Sequence, residues 1–363
     1  MSAIKQKILE ATQSLRGLKR LVAPAREVPA VDAPDEEDAA LKLRQTEQHV
    51  ERQQWQLQQL SKELHELRKK VSEDAHGGGY RGLEPQNVVW IFGTARTGST
   101  WLASMIEELE GNTVWREPYV GALFGRFYHE WVGEKHFKTK HFILGERARE
   151  SWVRSVRSFV LNEASVRFPE VVDGGYLVIR EPNGSAGAPL MMEALPESRM
   201  IFLVRDSRDV VASALDAARK GSWLYKRRVE EGGGHTEAFH LEEDALAEQT
   251  ANMYVKNVGN VRDAFKAHEG PKVLVKYEDL RFEPLDTMRR ICSELSIEVE
   301  EIDLVRAVEK HAWEKLPAEY KGEGKFHRKA TPGGWREDLT EEQVKTVERI
   351  TAPLLKEFYS ELG

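Results

Sequence analysis

The sequence predicts an α/β fold, a doubly wound parallel sheet of about five strands behind a helical N-terminal extension, and three observations predict it. Short β-branched or aromatic runs alternate with helical stretches from residue 88 onward. The first of those runs leads into a glycine-bounded loop that opens a helix. Hydrophobic residues make up 40% of the 363, enough for one large core, while charged residues reach 31% and no run approaches 18 apolar residues, which describes a soluble globular chain without a transmembrane segment.

Residues 1–38 read as a basic helix and a flexible linker. Lys5, Lys7, Arg16, Lys19 and Arg20 punctuate the first 22 positions, and three prolines and an acidic cluster follow. Residues 39–76 read as a coiled-coil helix: Leu43, Val50, Leu57, Leu64 and Val71 share one heptad position, and Thr46, Gln53, Leu60 and Leu67 the other. A seam over 41–71 offers a homo-oligomer contact, the alternative being a single helix lying on the globular domain. Gly77-Gly78-Gly79 stops that helix, and the α/β domain is expected over 85–363. Its candidate strands are Val88–Phe92, Thr113–Arg116, Tyr176–Arg180, Met200–Val204 and Lys272–Tyr277. Alternation with helices implies right-handed crossovers and a parallel sheet covered on both faces, with ligands beyond the carboxyl ends of the strands.

Composition narrows the function. A net charge of -7 gives no reason to expect a nucleic-acid partner, so any anion site must be local. One cysteine, Cys292, cannot form an internal disulfide, and the eleven histidines lack metal-organising spacing, so a cytoplasmic setting and metal-free chemistry are expected.

The segment Val88 to Leu102 reads as strand, loop and helix. Gly93 and Gly98 permit a tight wrap, and the helix start at Ser99 and Thr100 offers N–H groups and a positive dipole end to a phosphate. The loop is P-loop-like, yet Ser99 stands where the Walker pattern places lysine, and the cation has moved to Arg96. That change disfavours a triphosphate-dependent kinase.

Ala95-Arg-Thr-Gly-Ser-Thr-Trp-Leu102 resembles the 5′-phosphosulfate loop of sulfotransferases that use 3′-phosphoadenosine 5′-phosphosulfate (PAPS), commonly P-[KR]-S-G-T-T-W-L. The resemblance implies donor binding by Arg96, Thr97, Gly98, Ser99, Thr100 and Trp101, with Trp101 flanking the adenine. Arg205-Asp-Ser-Arg-Asp-Val-Val-Ala-Ser213 is similar to the family's 3′-phosphate signature, which assigns Arg205 and Ser213 to that phosphate. Arg328-Lys-Ala-Thr-Pro-Gly-Gly-Trp-Arg336 matches the spacing of the family's R-K-G-x-x-G-x-W-[KR] loop, implying that Arg328 and Lys329 add to the same site and that Gly333 and Gly334 let the loop close. Lys276-Tyr-Glu-Asp-Leu280 looks like the family's Y-E-D-L, with Tyr277 against the adenine and Glu278 and Asp279 capping the next helix. Ala95 and Ser207 replace frequent prolines and Ala330 a glycine.

Sulfuryl transfer needs an in-line nucleophile, charge stabilisation on the leaving oxygen and a base for the acceptor proton. Arg96 is the candidate stabiliser. Two glutamates at strand ends are candidate bases, Glu117 and Glu181; the resemblance to tyrosylprotein and carbohydrate sulfotransferases favours Glu117, and an ion pair with Arg116 or Arg180 is the structural alternative for either. Residues 119–170 and 217–250, which include Phe124, Phe127, Tyr128, Trp131, Trp223, Tyr225, Arg227 and Arg228, are expected to form an acceptor pocket for a small molecule or a glycan. Two other readings stay open: a P-loop nucleotide phosphotransferase, with Asp206 as the nearest magnesium ligand, and a non-catalytic nucleotide-binding coiled-coil scaffold.

Overall fold

Period-two alternation along five short strands builds the centre of the domain. The computed structural model describes residues 82–126, 148–172, 174–231 and 240–360, together with Gln59 and Tyr128. The chain divides into two units, Met1–Arg81 and Gly82–Gly363, and all elements described here belong to the second. The basic helix, linker and heptad seam expected before residue 77, and Phe127 and Trp131, lie outside the described residues.

The strands are β1 (Val88–Phe92), β2 (Asn112–Arg116), β3 (Tyr176–Arg180), β4 (Arg199–Val204) and β5 (Lys272–Lys276). All pair in parallel, in the order β2-β3-β1-β4-β5. Each runs within one residue of its sequence-predicted bounds. The helices that matter for the site are α1 (Ser99–Glu107), α2 (Arg149–Arg167), α3 (Ala188–Ala194), α4 (Ser207–Ala218), α5 (Glu243–Ala267), α6 (Tyr277–Phe282), α7 (Pro284–Glu294), α8 (Glu301–Lys310), α9 (Trp335–Asp338) and α10 (Glu341–Tyr359).

Alternate side chains of each strand feed two separate cores, the arrangement that makes the sheet doubly wound. Trp90, Phe92, Ile179, Phe202 and Val204 face one core with residues of α2, α3, α5 and α10. Val89, Ile91, Val178, Leu203 and Val275 face the other with α1, α7 and α8. A third cluster joins α4, α5, Trp335 and Val347. Trp335 is buried. Among the described residues, no helix is long and apolar enough to cross a membrane.

The strand order reverses at β1. From β1 the chain moves outward to β2, fills in β3, then crosses to β4 and β5 on the other side. The carboxyl end of β1, between β3 and β4, is the switch point at which such sheets bind ligands.

Candidate active site

Beyond the carboxyl ends of the strands lies a cleft of about 1050 Å³. Among the described residues its walls carry nine cationic side chains, eight arginines and Lys329, against one carboxylate, that of Glu117. Within a chain of net charge -7 this is a local concentration of positive charge, the setting expected for a polyanionic ligand.

The floor is the loop between β1 and α1. A Cβ on Gly93 would meet the Leu203 carbonyl oxygen at 2.3 Å, so only glycine lets the chain leave β1 this close to β4. Gly98 caps α1 with φ 86, and a Cβ there would meet the Tyr277 ring at 2.6 Å. No side chain caps α1, so its first N–H groups remain open to the cleft. The Thr97 hydroxyl turns away and donates to the Thr94 carbonyl at 2.8 Å; it ties the loop and does not line the cleft.

Arg96, at φ 70, donates from Nε to the Ser213 hydroxyl at 3.0 Å and toward the Phe326 carbonyl at 3.3 Å. Its guanidinium lies 5.6 Å from the Trp223 ring and 5.5 Å from the Phe326 ring. Loss of hydration, then the neighbouring Arg205 and Arg328, lower its pKa to about 10, with Asp216 opposing, so it stays charged at neutral pH.

Arg205, at the end of β4, donates to the Arg96 carbonyl at 3.0 Å and lies 4.3 Å from the Tyr277 ring centroid. Its Nε is buried without a partner, and among the described residues no carboxylate pairs with it. Tyr254 donates to the Arg205 carbonyl at 2.8 Å and fixes that residue's backbone. Trp101 donates to the His311 carbonyl at 2.8 Å and meets Tyr277 edge-on at 6.4 Å, so the two aromatic side chains assigned to the adenine stand together.

Arg328 donates to the Ala212 carbonyl at 2.8 Å and pairs with Asp338; Lys329 pairs with Asp338 at 2.8 Å and Glu337 at 3.0 Å. The loop carrying them is pinned by Asp209, whose carboxylate accepts the N–H groups of Gly333 at 2.7 Å and Trp335 at 3.0 Å. Burial raises the Asp209 pKa, partly offset by Arg205 and these amides. Gly333 is held by that bond at φ 81, a left-handed conformation that favours glycine. Ala330, in the glycine position of the resembling motif, adopts φ 52.

The helix-capping role expected of Glu278 and Asp279 is also corrected, since neither side chain caps α6. Glu278 instead accepts the Asp206 N–H at 3.1 Å and the Tyr359 hydroxyl at 2.9 Å. Arg208 pairs with Asp206 at 2.7 Å and Glu348 at 2.8 Å, away from the cleft.

The two candidate bases part company. Glu117 extends the β2 ladder by one bond, its N–H donating to the Arg180 carbonyl at 2.9 Å, and then turns the chain at φ 49. Its half-buried carboxylate lines the cleft and pairs at 2.8 Å with Arg180, which is itself buried. Arg180 also reaches the Ser99 hydroxyl at 3.4 Å, while its Nε has no partner among the described residues. Tyr119 follows at φ 61; two L-residues in left-handed conformation within three positions cost on the order of 1–2 kcal/mol each. Such strain concentrates where function over-determines the backbone.

Glu181 follows β3 but points inward. It is fully buried, does not line the cleft, and packs so tightly on Gly184 that a Cβ there would lie 2.1 Å from Oε1. Among the described residues neither carboxyl oxygen finds a hydrogen-bond partner of normal geometry. Burial raises its pKa to about 8, moderated by the nearby amides of Val120 and Tyr119. The two strand-end glutamates are thus placed differently: Glu117 lines the cleft and Glu181 is turned inward, away from it.

Arg116 is clamped by Glu107 of α1, with one contact at 2.8 Å. Trp223, Arg227 and Arg228 line the cleft, as does Tyr119, whose hydroxyl accepts from Asn183 at 3.3 Å. Phe124 instead packs on Trp152 and Phe159, and Tyr128 is buried beside Arg149. Sequence reasoning placed Arg180 only as a pairing partner and overlooked Arg281, His311, Trp313, Phe326 and His327. Its place as the last residue of a predicted strand was the available signal for Arg180; Arg281 lies in the short α6, and the others lie in the irregular stretch after α8.

The sulfotransferase domain model matches residues 86–359. No curated protein sequence matches the chain. Among solved structures, a sulfotransferase from Mycobacterium avium is 14% identical, with 76% of this chain and 78% of that chain covered and a TM-score of 0.48. Mouse sulfotransferase SULT7A1, complexed with PAP, is 12% identical over 75% of this chain and 85% of that one, with a TM-score of 0.47. The sulfotransferase domain of the Synechococcus PCC 7002 olefin synthase is 15% identical over 76% and 97%, with a TM-score of 0.43.

Proposed function

The chain belongs to the sulfotransferase domain family and takes its sulfuryl group from PAPS, and we propose that the cleft passes this group in line to an acceptor hydroxyl or amine with Glu117 as the general base. The observation that carries the reading is the bridge made by Arg180, which touches the Glu117 carboxylate at 2.8 Å and the phosphate-loop Ser99 hydroxyl at 3.4 Å. One guanidinium thus links the base to the loop that holds the donor.

The fit to the donor is supported by an uncapped helix start, a buried unpartnered Nε on Arg205, and an aromatic corner of Trp101 and Tyr277. Arg205 and Ser213 are assigned to the 3′-phosphate, with Arg328 and Lys329 beside them. Arg96 and the N–H groups of Gly98, Ser99 and Thr100 face the 5′-phosphosulfate and stabilise charge on the leaving oxygen. Arg180 holds the Glu117 carboxylate in place. Glu117 takes the acceptor proton as the acceptor oxygen or nitrogen bonds to sulfur, the sulfur–oxygen bond to phosphate breaks, and adenosine 3′,5′-bisphosphate (PAP) departs.

The phosphotransferase reading finds no support in Asp206, whose carboxylate is taken by the Arg208 side chain and amide. A scaffold reading is separated by deleting residues 1–76, which leaves turnover per protomer intact in an enzyme. For the rest of the chain the proposal is a homo-oligomerising coiled coil at 39–76, a sulfotransferase domain over 85–363, a small-molecule or glycan acceptor, and a reducing, cytoplasmic setting suited to a chain with Cys292 as its one cysteine.

The test is thermal unfolding with PAP, with ADP, and with ATP plus magnesium, each repeated in EDTA. Ligand at a hundred times its dissociation constant adds about 2.7 kcal/mol. Selective, EDTA-insensitive stabilisation by PAP is expected. Glu117→Gln should keep that stabilisation and slow transfer by about 10²-fold or more. Normal turnover in Glu117→Gln overturns the base assignment.

A further inference from the structure

Four cleft cations are accounted for by the donor: Arg96, Arg205, Arg328 and Lys329. Three more have carboxylate partners, Arg180 with Glu117 at 2.8 Å, Arg281 with Glu314 at 3.1 Å, and Arg116 with Glu107. Arg227 is different. It lines the cleft, is exposed, and pairs with no carboxylate among the described residues.

Its position is fixed by the backbone. Ser222 caps the short helix Trp223–Tyr225 by accepting the Tyr225 N–H at 3.1 Å, and the Trp223 N–H donates to the Gly324 carbonyl at 2.8 Å. The next turn, Lys226–Glu230, carries Arg227 and Arg228, and both line the cleft. The Arg96 guanidinium, assigned above to the 5′-phosphosulfate, lies 5.6 Å from the Trp223 ring, and Arg227 and Glu117 line the same cleft. The adenine end is marked by Trp101 and Tyr277.

We propose that the acceptor carries a permanent anion, a carboxylate, sulfate ester or phosphate ester, in addition to its reacting hydroxyl or amine, and that Arg227 receives that anion while Glu117 takes the proton. This rests on the donor and base assignments above. A guanidinium returns the desolvation of an anion through paired charge-assisted hydrogen bonds. A cationic acceptor would meet repulsion at the same wall. Because Arg227 is exposed, the selectivity is moderate and falls with salt.

The test uses the full chain saturated with PAP and two isosteric probe pairs, 4-hydroxybenzoate with 4-hydroxybenzamide and glucuronate with glucuronamide, in isothermal titration. At about 0.02 M salt, where screening is weak, the anion of at least one pair should bind about tenfold or more tightly than its amide. That preference should shrink at about 0.3 M salt and vanish in Arg227→Ala, with PAP-induced thermal stabilisation retained. Equal binding within both pairs, no binding of either anion, or a preference that survives in Arg227→Ala overturns the proposal. If PAP itself fails to stabilise the wild-type chain, the donor assignment falls instead.

Discussion

Replacing Glu181 with glutamine tests the buried carboxyl that the cleft leaves unused. Taking its pKa from 4.5 to about 8 corresponds to about 5 kcal/mol of preference for the neutral form. The folded value lies above the unfolded one, so the carboxyl's contribution to stability is fully present below about pH 4.5, declines as pH rises and is gone above about pH 8. By pH 7 the wild type should have lost about 3 kcal/mol relative to pH 4.5 through this group alone. Glutamine keeps the shape and cannot ionise, so Glu181→Gln should lack that slope and become the more stable protein near pH 8. Urea unfolding of both proteins from pH 5 to 9, compared as a difference at each pH, isolates this group from the histidines. Parallel profiles would refute a buried, neutral Glu181. The same variant should transfer sulfuryl groups at a near wild-type rate; a 10²-fold loss there, with Glu117→Gln unaffected, would reverse the base assignment.

Arg205→Ala should cut the preference for PAP over 5′-AMP about 10- to 100-fold, the size of one lost charge-assisted contact, and leave 5′-AMP binding little changed in a competitive titration. Equal losses for both nucleotides would move Arg205 away from the 3′-phosphate. Gly98→Ala places a methyl 2.6 Å from the Tyr277 ring at φ 86 and should lower stability by about 2 kcal/mol or more, read as a fall of several degrees in Tm together with weaker PAP binding. An unchanged Tm would mean that the loop relaxes freely.

The strands were legible because each is five or six residues of β-branched and aromatic side chains bounded by polar residues, a pattern that buried parallel strands share. The phosphate loop was legible because steric demands at Gly93 and Gly98 leave few alternatives. Two features were not. Glu117 and Glu181 look alike in sequence, each an Arg-Glu-Pro after a strand, and only the backbone turn decides which carboxyl meets solvent: Glu117 turns at φ 49, whereas Glu181 continues at φ -128 beneath Gly184. The loop from Trp313 to Thr331 has no periodicity and is placed by distant contacts, Gly324 to Asp216 at 3.1 Å and Arg281 to the Ala330 carbonyl at 3.0 Å.

The cations assigned to the 3′-phosphate fall into two kinds. Arg328 and Lys329 already face Asp338, so a phosphate reaching them shares each charge with a carboxylate. Their net attraction at long range is small, because a paired charge looks like a dipole from outside. Arg205 has no such partner and its Nε is orphaned, so the unspent attraction for a 3′-phosphate lies there. Asp338 holds the Arg328 fork, and Asp209 holds the loop behind it through two backbone N–H groups. On the assignment proposed above, the loop of Arg328 supplies a preset geometry and Arg205, directly after β4, supplies the charge. On this division, Asp338→Asn should strengthen PAP binding at low salt while loosening discrimination between 3′- and 2′-phosphate, whereas a purely structural Asp338 would weaken both together.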